Sequence, residues 1–383
     1  MYRNTLRIGL ALGMVAAPIG LLPGADADEP VRVTAADGPD REAKQPQVAV
    51  DARGRVYIAF GRGSTVRLAA STDGGKTFDV NTVGEVGELA LGMRRGPRVA
   101  ATDGSIVVTA IGGREGKGRD GDVLSWRSKD GGKSWDGPTR VNVVEGSARE
   151  GLHGMAAGPD GQVYCTWLDL RNKKTEIYGS LSKDGGATWA PDALVYRSPD
   201  GSVCECCHPS AAFGPDGTLH VMWRNSLKGA RDLYLTSSSD GGRTFRTAEK
   251  LGRGTWPLKA CPMDGGAVAA GPDGRVETVW MREGAMFAAR PGEVERSLGR
   301  GVQGWTAFGA EGPYSVWLEK RPGKLFALTR EGRAPTILAE RAADPVVAAA
   351  PGGLGLVVVA WEAKAGGGIV SLVLSPTGTE AAP

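Results

Sequence analysis

The sequence predicts an all-β fold made by repeating one small antiparallel sheet, and three observations predict it. An eight-residue motif, S-x-D-G-G-x-[ST]-[FW], occurs four times, at residues 71–78, 128–135, 182–189 and 238–245. The turn sequence Gly-Pro-Asp-Gly recurs at residues 158–161, 214–217 and 271–274. Between these markers lie short runs such as Val56-Tyr57-Ile58-Ala59-Phe60, which have the length and the β-branched, aromatic composition of strands.

The motif itself reads as a turn. Its Asp carboxylate can accept backbone N–H groups, its glycines tolerate positive φ, and its closing aromatic can pack between sheets. In unit one a strand over residues 45–50 is followed by a turn at 51–54, strands over 56–60 and 66–70, the motif, and a fourth strand. The same order restarts at Pro97, His153, Pro209 and Gly266. Two weaker units without the motif start at Trp305 and Pro345, and a strand near residues 30–36 stands alone before unit one.

Ahead of the repeats, Arg3 and Arg7 precede an apolar run over residues 8–22 and then Ala25-Asp26-Ala27. This is the layout of a secretory signal peptide over residues 1–27, so the protein is expected to be exported, periplasmic or secreted. Pro18 and Gly20 interrupt the run, so no stable membrane span is expected once the signal is cleaved. The net charge of +3 gives no broad basic field, which argues against a nucleic-acid partner.

The motif resembles the Asp-box, or BNR repeat, of the sialidase (neuraminidase) family and its non-sialidase relatives. That resemblance implies a β-propeller. Counting the units gives a seven-bladed β-propeller forming one domain over residues 28–383, with the lone N-terminal strand completing the last blade. Six blades, the sialidase number, is the alternative and requires one weak unit to be an insertion or cap.

In a four-stranded blade running outward from a central channel, the first and third turns share one face. The Gly-Pro-Asp-Gly turns and Asp-boxes therefore lie together, and the irregular loops gather on the other face. Those loops carry Arg94 to Arg98, Arg149 to His153, Cys204 to His208 and Cys261 to Asp264, with Asp169, Arg171, Arg224 and Arg282 at strand ends beside them. A small-molecule or glycan ligand is expected at this rim, on units two to five, with Arg98, His153, Asp169, Arg171 and Arg282 as binding residues.

Five cysteines in an exported chain permit disulfides. Cys165 falls inside the strand Val163-Tyr164-Cys165-Thr166-Trp167 and reads as a small buried hydrophobe. Cys204, Cys206, Cys207 and Cys261 allow two disulfides bracing units four and five. The same four, with His208 and Met263, also form a thiolate, imidazole and thioether set suited to copper or zinc. Both readings stand at this stage.

The sialidase resemblance also implies chemistry: three arginines for a substrate carboxylate, an Asp acid/base, and a Tyr nucleophile activated by Glu. Arg95-Gly96-Pro97 stands where the family's first arginine motif stands, Arg114 follows, and Asp120 takes the acid/base place, with Arg98 and Asp122 as alternatives. Arg224 in Trp223-Arg224-Asn225 matches the second triad strand, and Arg282 matches the third loosely. No Tyr opens an inner strand in units six or seven, where Trp305 and Asp344 stand. The expectation is therefore a ligand-binding, sialidase-like propeller without sialidase turnover, with an exo-sialidase-like glycoside hydrolase acting on anionic sugars as the alternative.

Overall fold

A computed structural model describes residues 29–329, 333–364 and 367–374; the expected signal over residues 1–27 lies outside them. Among the described residues the regular structure is strand, apart from three short 3-10 turns. No helix there is long and apolar enough to cross a membrane.

The Asp-boxes fold as their chemistry requires. In unit one, Asp73 Oδ1 accepts the backbone N–H groups of Lys76 and Thr77 at 3.0 Å, and its Oδ2 accepts the Thr77 hydroxyl at 2.6 Å. Ser71 Oγ accepts the Gly75 N–H at 2.8 Å, so both ends of the turn are tied. Asp130, Asp184 and Asp240 take the corresponding hydroxyl bonds from Ser134, Thr188 and Thr244. The carboxyls of Asp73, Asp130 and Asp240 sit far below the usual range, first because of those hydroxyl bonds.

The box also joins neighbouring units. A Cβ on Gly242 in unit four would lie 2.5 Å from the Tyr164 ring of unit three, and one on Gly186 in unit three would lie 2.6 Å from Val107 of unit two. Only glycine allows this approach, and both positions have positive φ. The closing aromatics pack as expected, Trp135 against the core between units one and two and Phe245 against that between units three and four.

Hydrogen bonding sorts the strands into six sheets, five built around four radial strands and one of seven. In the seven-stranded sheet the long strand Thr336–Ala349 serves twice. Its first part pairs with Gly323–Leu328 in unit six and its second with Val357–Ala363 in unit seven. Beyond these, Ile369–Leu374 pairs with the N-terminal strand Val31–Arg32, with Val31 opposite Ser371. The lone strand therefore closes the last sheet, as its sequence position suggested. The cores lie between successive units, and one cluster unites Ile58 and Phe60 of unit one with Val346 and Val358 of unit seven, so the ring is shut. The fold is an all-β propeller.

Candidate functional site

The inner strands begin with polar residues, and the packing of the ring buries them. Arg98, His153, His208, Asp264, Gln303 and Asp344 are all shielded from solvent. The reason is Arg94, whose side chain crosses the channel from unit two. It donates to the Pro345 carbonyl at 2.8 Å and the Gln303 carbonyl at 2.5 Å, and lies 5.2 Å from the Trp305 ring centre. Gln303 Nε2 bonds Asp344 Oδ1 at 2.9 Å, the Gln303 N–H bonds Asp264 Oδ2 at 2.6 Å, and Arg321 pairs with Asp344 at 2.7 Å. A polar plug thus fills this channel mouth, inside the rim where the sequence placed a ligand. The channel instead has an open cavity of about 650 Å³ on the Asp-box face, walled by small residues such as Ala156, Ala212, Ala269 and Ala348.

The plug decides what the expected arginines can do. Arg98 Nε donates to the His153 carbonyl at 3.0 Å, and its other nitrogens donate to the carbonyls of Arg94, Gly96 and Pro97. Burial pushes its pKa down to about 9. Arg224 is 1% exposed and gives its three nitrogens to the carbonyls of Asp264 (2.8 Å), Arg231 (2.6 Å) and Met281 (2.7 Å). Arg95 Nε bonds the Glu150 carbonyl at 2.7 Å, and Arg282 pairs with Glu295 at 2.7 Å over the Phe287 ring. Arg98 and Arg224 thus give every guanidinium nitrogen to backbone carbonyls of this chain, while Arg95 and Arg282 are each tied through one nitrogen. A guanidinium buried without such acceptors would be far costlier than one exposed, which is why folding commits them.

Asp120 likewise acts on its own loop. It accepts backbone N–H groups from Arg114 (2.6 Å), Glu115 and Gly116 (2.8 Å), and these bonds hold its carboxyl below the ordinary range. A general acid needs the opposite shift. Arg114 itself is exposed.

Asp169 is fully buried, accepting from Ser147 Oγ, Trp167 Nε1 and Arg171. Burial pushes its carboxyl up, but these bonds outweigh that and hold it low. Arg171 also pairs with Asp192 and lies 3.8 Å from the Tyr178 ring centre. His153 Nε2 bonds Thr109 Oγ1 at 3.0 Å, and burial, followed by the nearby Arg98 charge, keeps it neutral.

The cysteines converge. Cys204 Sγ lies 3.4 Å from Cys207 Sγ and 3.8 Å from Cys206 Sγ, and the third side is 4.0 Å. Met263 packs against this cup, and Cys261 interacts with Cys206 from the exposed side. None of the five cysteines is joined to another by a disulfide in this structure. The Cys204 N–H donates to the Arg224 carbonyl at 3.0 Å, fixing the loop to its blade. Bonds from Cys206 and Cys207 hold the Cys204 thiol well down, with Arg231 and Arg224 adding to the effect, whereas burial pushes Cys207 up. Cys165 is buried in Val163–Asp169, and burial raises it to about 12.

His208 does not join the cup. Its ring stacks on Trp305 at 5.5 Å in the channel, and its nitrogens lie outside the group of three sulfurs. Cys207 closes the turn over residues 205–207 while His208 leads into the inner strand Ser210–Phe213, so the two side chains diverge. Sequence reasoning missed the roles of Arg94 and Trp305. The available signal was their place, Arg94 in the loop ahead of the inner strand Arg98–Ala101 and Trp305 within the inner strand Val302–Gly309.

The four loop segments do meet. Arg95 reaches Glu150, Arg98 reaches His153, and Arg224 reaches Asp264. Arg95, Glu205 and Cys206 all act on the Glu150 carboxyl, which burial pushes up.

Comparison with known proteins agrees with this architecture. A BNR repeat-like domain model matches residues 94–276, which hold three of the four motifs. No curated protein matches the sequence significantly. Among solved structures, an alpha-L-arabinanase of Penicillium chrysogenum complexed with arabinobiose is 13% identical, with TM-score 0.54 over 91% of this chain and 98% of that one. A Hadza microbial sialidase is 15% identical, with TM-score 0.56 over 90% and 67%. YCF48 from Cyanidioschyzon merolae is 13% identical, with TM-score 0.51 over 91% and 99%. At these identities the likeness is one of fold. The chain is a β-propeller of the fold shared with these structures, and its residues 94–276 match a BNR repeat-like domain.

Proposed function

We propose that the protein is an exported ligand-binding propeller whose loop face on units two to five carries a soft-metal centre made by Cys204, Cys206 and Cys207. One observation carries this: three sulfurs, each 3.4–4.0 Å from the other two. A metal–sulfur bond of about 2.3 Å places three ligands around one ion about 4 Å apart. Disulfides join sulfurs in pairs and have no use for a third equidistant one. Metal binding would also keep the thiols reduced in the oxidising compartment that the leader implies. The ring is read as seven-bladed, because Thr336–Ala349 belongs to two units at once.

Metal analysis of anaerobically purified protein, with thiol counting after denaturation, tests the centre. About one metal and five thiols per chain is the expected result. One free thiol without metal would establish the disulfide brace instead.

A sugar ligand is the second reading, supported by neighbours described as an arabinanase and a sialidase. Hydrolysis by way of Asp120, Arg95, Arg114 and Arg224 is disfavoured by the internal bonds that occupy Asp120, Arg95 and Arg224. Release of a fluorescent aglycone from sialosides or arabinosides, abolished by Asp120→Asn, would restore it.

A further inference from the structure

We infer that the thiol cup carries copper(I) as cargo and that Cys261 is the ligand through which the ion enters and leaves. This rests on reading the cup as a soft-metal centre and adds the ion, its route and the chemistry of its acceptor.

The donors select the ion. Three sulfurs converge, Met263 supplies a thioether against them, and the neighbouring imidazole of His208 faces the channel instead. An all-sulfur set of three suits copper(I), whereas a structural zinc site closes around four ligands. The remaining sulfur, Cys261, lies at the surface beside Cys206 and outside the group of three.

Exposure defines the route. Cys204 and Cys207 are each 1% exposed, Cys206 is 9% exposed, and Cys261 is open to solvent. Exchange is a ligand substitution in which copper stays monovalent. As the Cys261 sulfur bonds the ion, its thiol proton passes to the Cys206 sulfur, whose bond to the ion breaks. Thiolates or thioethers of an acceptor then displace Cys204, Cys207 and finally Cys261, and these thiolates take up protons from water as the ion leaves. The acceptor is thus any carrier presenting soft sulfur ligands, and no electron donor or oxidant takes part.

The test loads the anaerobic full-length protein with copper(I) and follows transfer to bathocuproine disulfonate by absorbance. Wild type and Cys261→Ser should both bind one ion, while the transfer rate falls about tenfold or more in Cys261→Ser. Cys207→Ser should fail to retain the ion. If wild type binds no copper(I), the cup itself is refuted. Equal transfer rates in wild type and Cys261→Ser would leave the cup standing and overturn the exchange route. Retention of zinc against equimolar copper(I) would overturn the choice of ion.

Discussion

Arg224 Nε donates to the backbone carbonyl of Asp264 at 2.8 Å, joining the end of a unit four strand to the loop that carries Cys261 and Met263. The same guanidinium holds Met281 in unit five, and the Arg224 carbonyl receives the Cys204 N–H. One buried residue, through its guanidinium and its backbone carbonyl, therefore fixes the two loops that make the thiol cup.

Arg224→Met should cost about 3 kcal/mol of stability, because three buried carbonyls lose a charged donor. Chemical denaturation would measure this. A carboxylate-binding arginine would instead give a stable protein with weakened ligand affinity.

Gly242→Ala should destabilise by about 2 kcal/mol or more, from positive φ together with the clash against Tyr164. Gly229→Ala has a similar φ with open space around its Cβ, so only about 1 kcal/mol is expected there. The difference in thermal midpoint between the two variants reports the contact between units.

Acid should weaken the ring through the Asp-boxes. Their carboxyls are held lower in the fold than in the unfolded chain, so their contribution is present above about pH 4 and lost as pH falls below it. Asp130→Asn should be less stable at neutral pH and show a flatter acid limb in denaturation curves.

A second window lies higher. His153 is kept neutral in the fold while the unfolded chain protonates near pH 6.5, so stability should fall by about 1.4 kcal/mol per pH unit below that value on its account. His153→Gln should remove that share of the slope between pH 6.5 and 5.

Asp120→Asn should loosen residues 114–120, because a carboxylate accepting three backbone N–H groups is replaced by an amide with one acceptor oxygen. Faster proteolysis at this loop is expected, with the fold retained.

The sequence by itself determined the repeating sheet, the turns and the closure of the last sheet by residues 31–32, because Asp-box and strand chemistry are local and repeat with the chain. It also brought four loop segments to one face, since alternation of turns fixes which loops share a side. Only the tertiary structure decided how those loops use their side chains. Arg94 lies next to Arg95 in sequence, yet one spans the channel and the other turns to Glu150. Cys207 and His208 are neighbours that face opposite ways. Such choices depend on which buried carbonyls and charges need partners once the ring has closed, and those partners come from far along the chain, as Pro345 does for Arg94, 251 positions away.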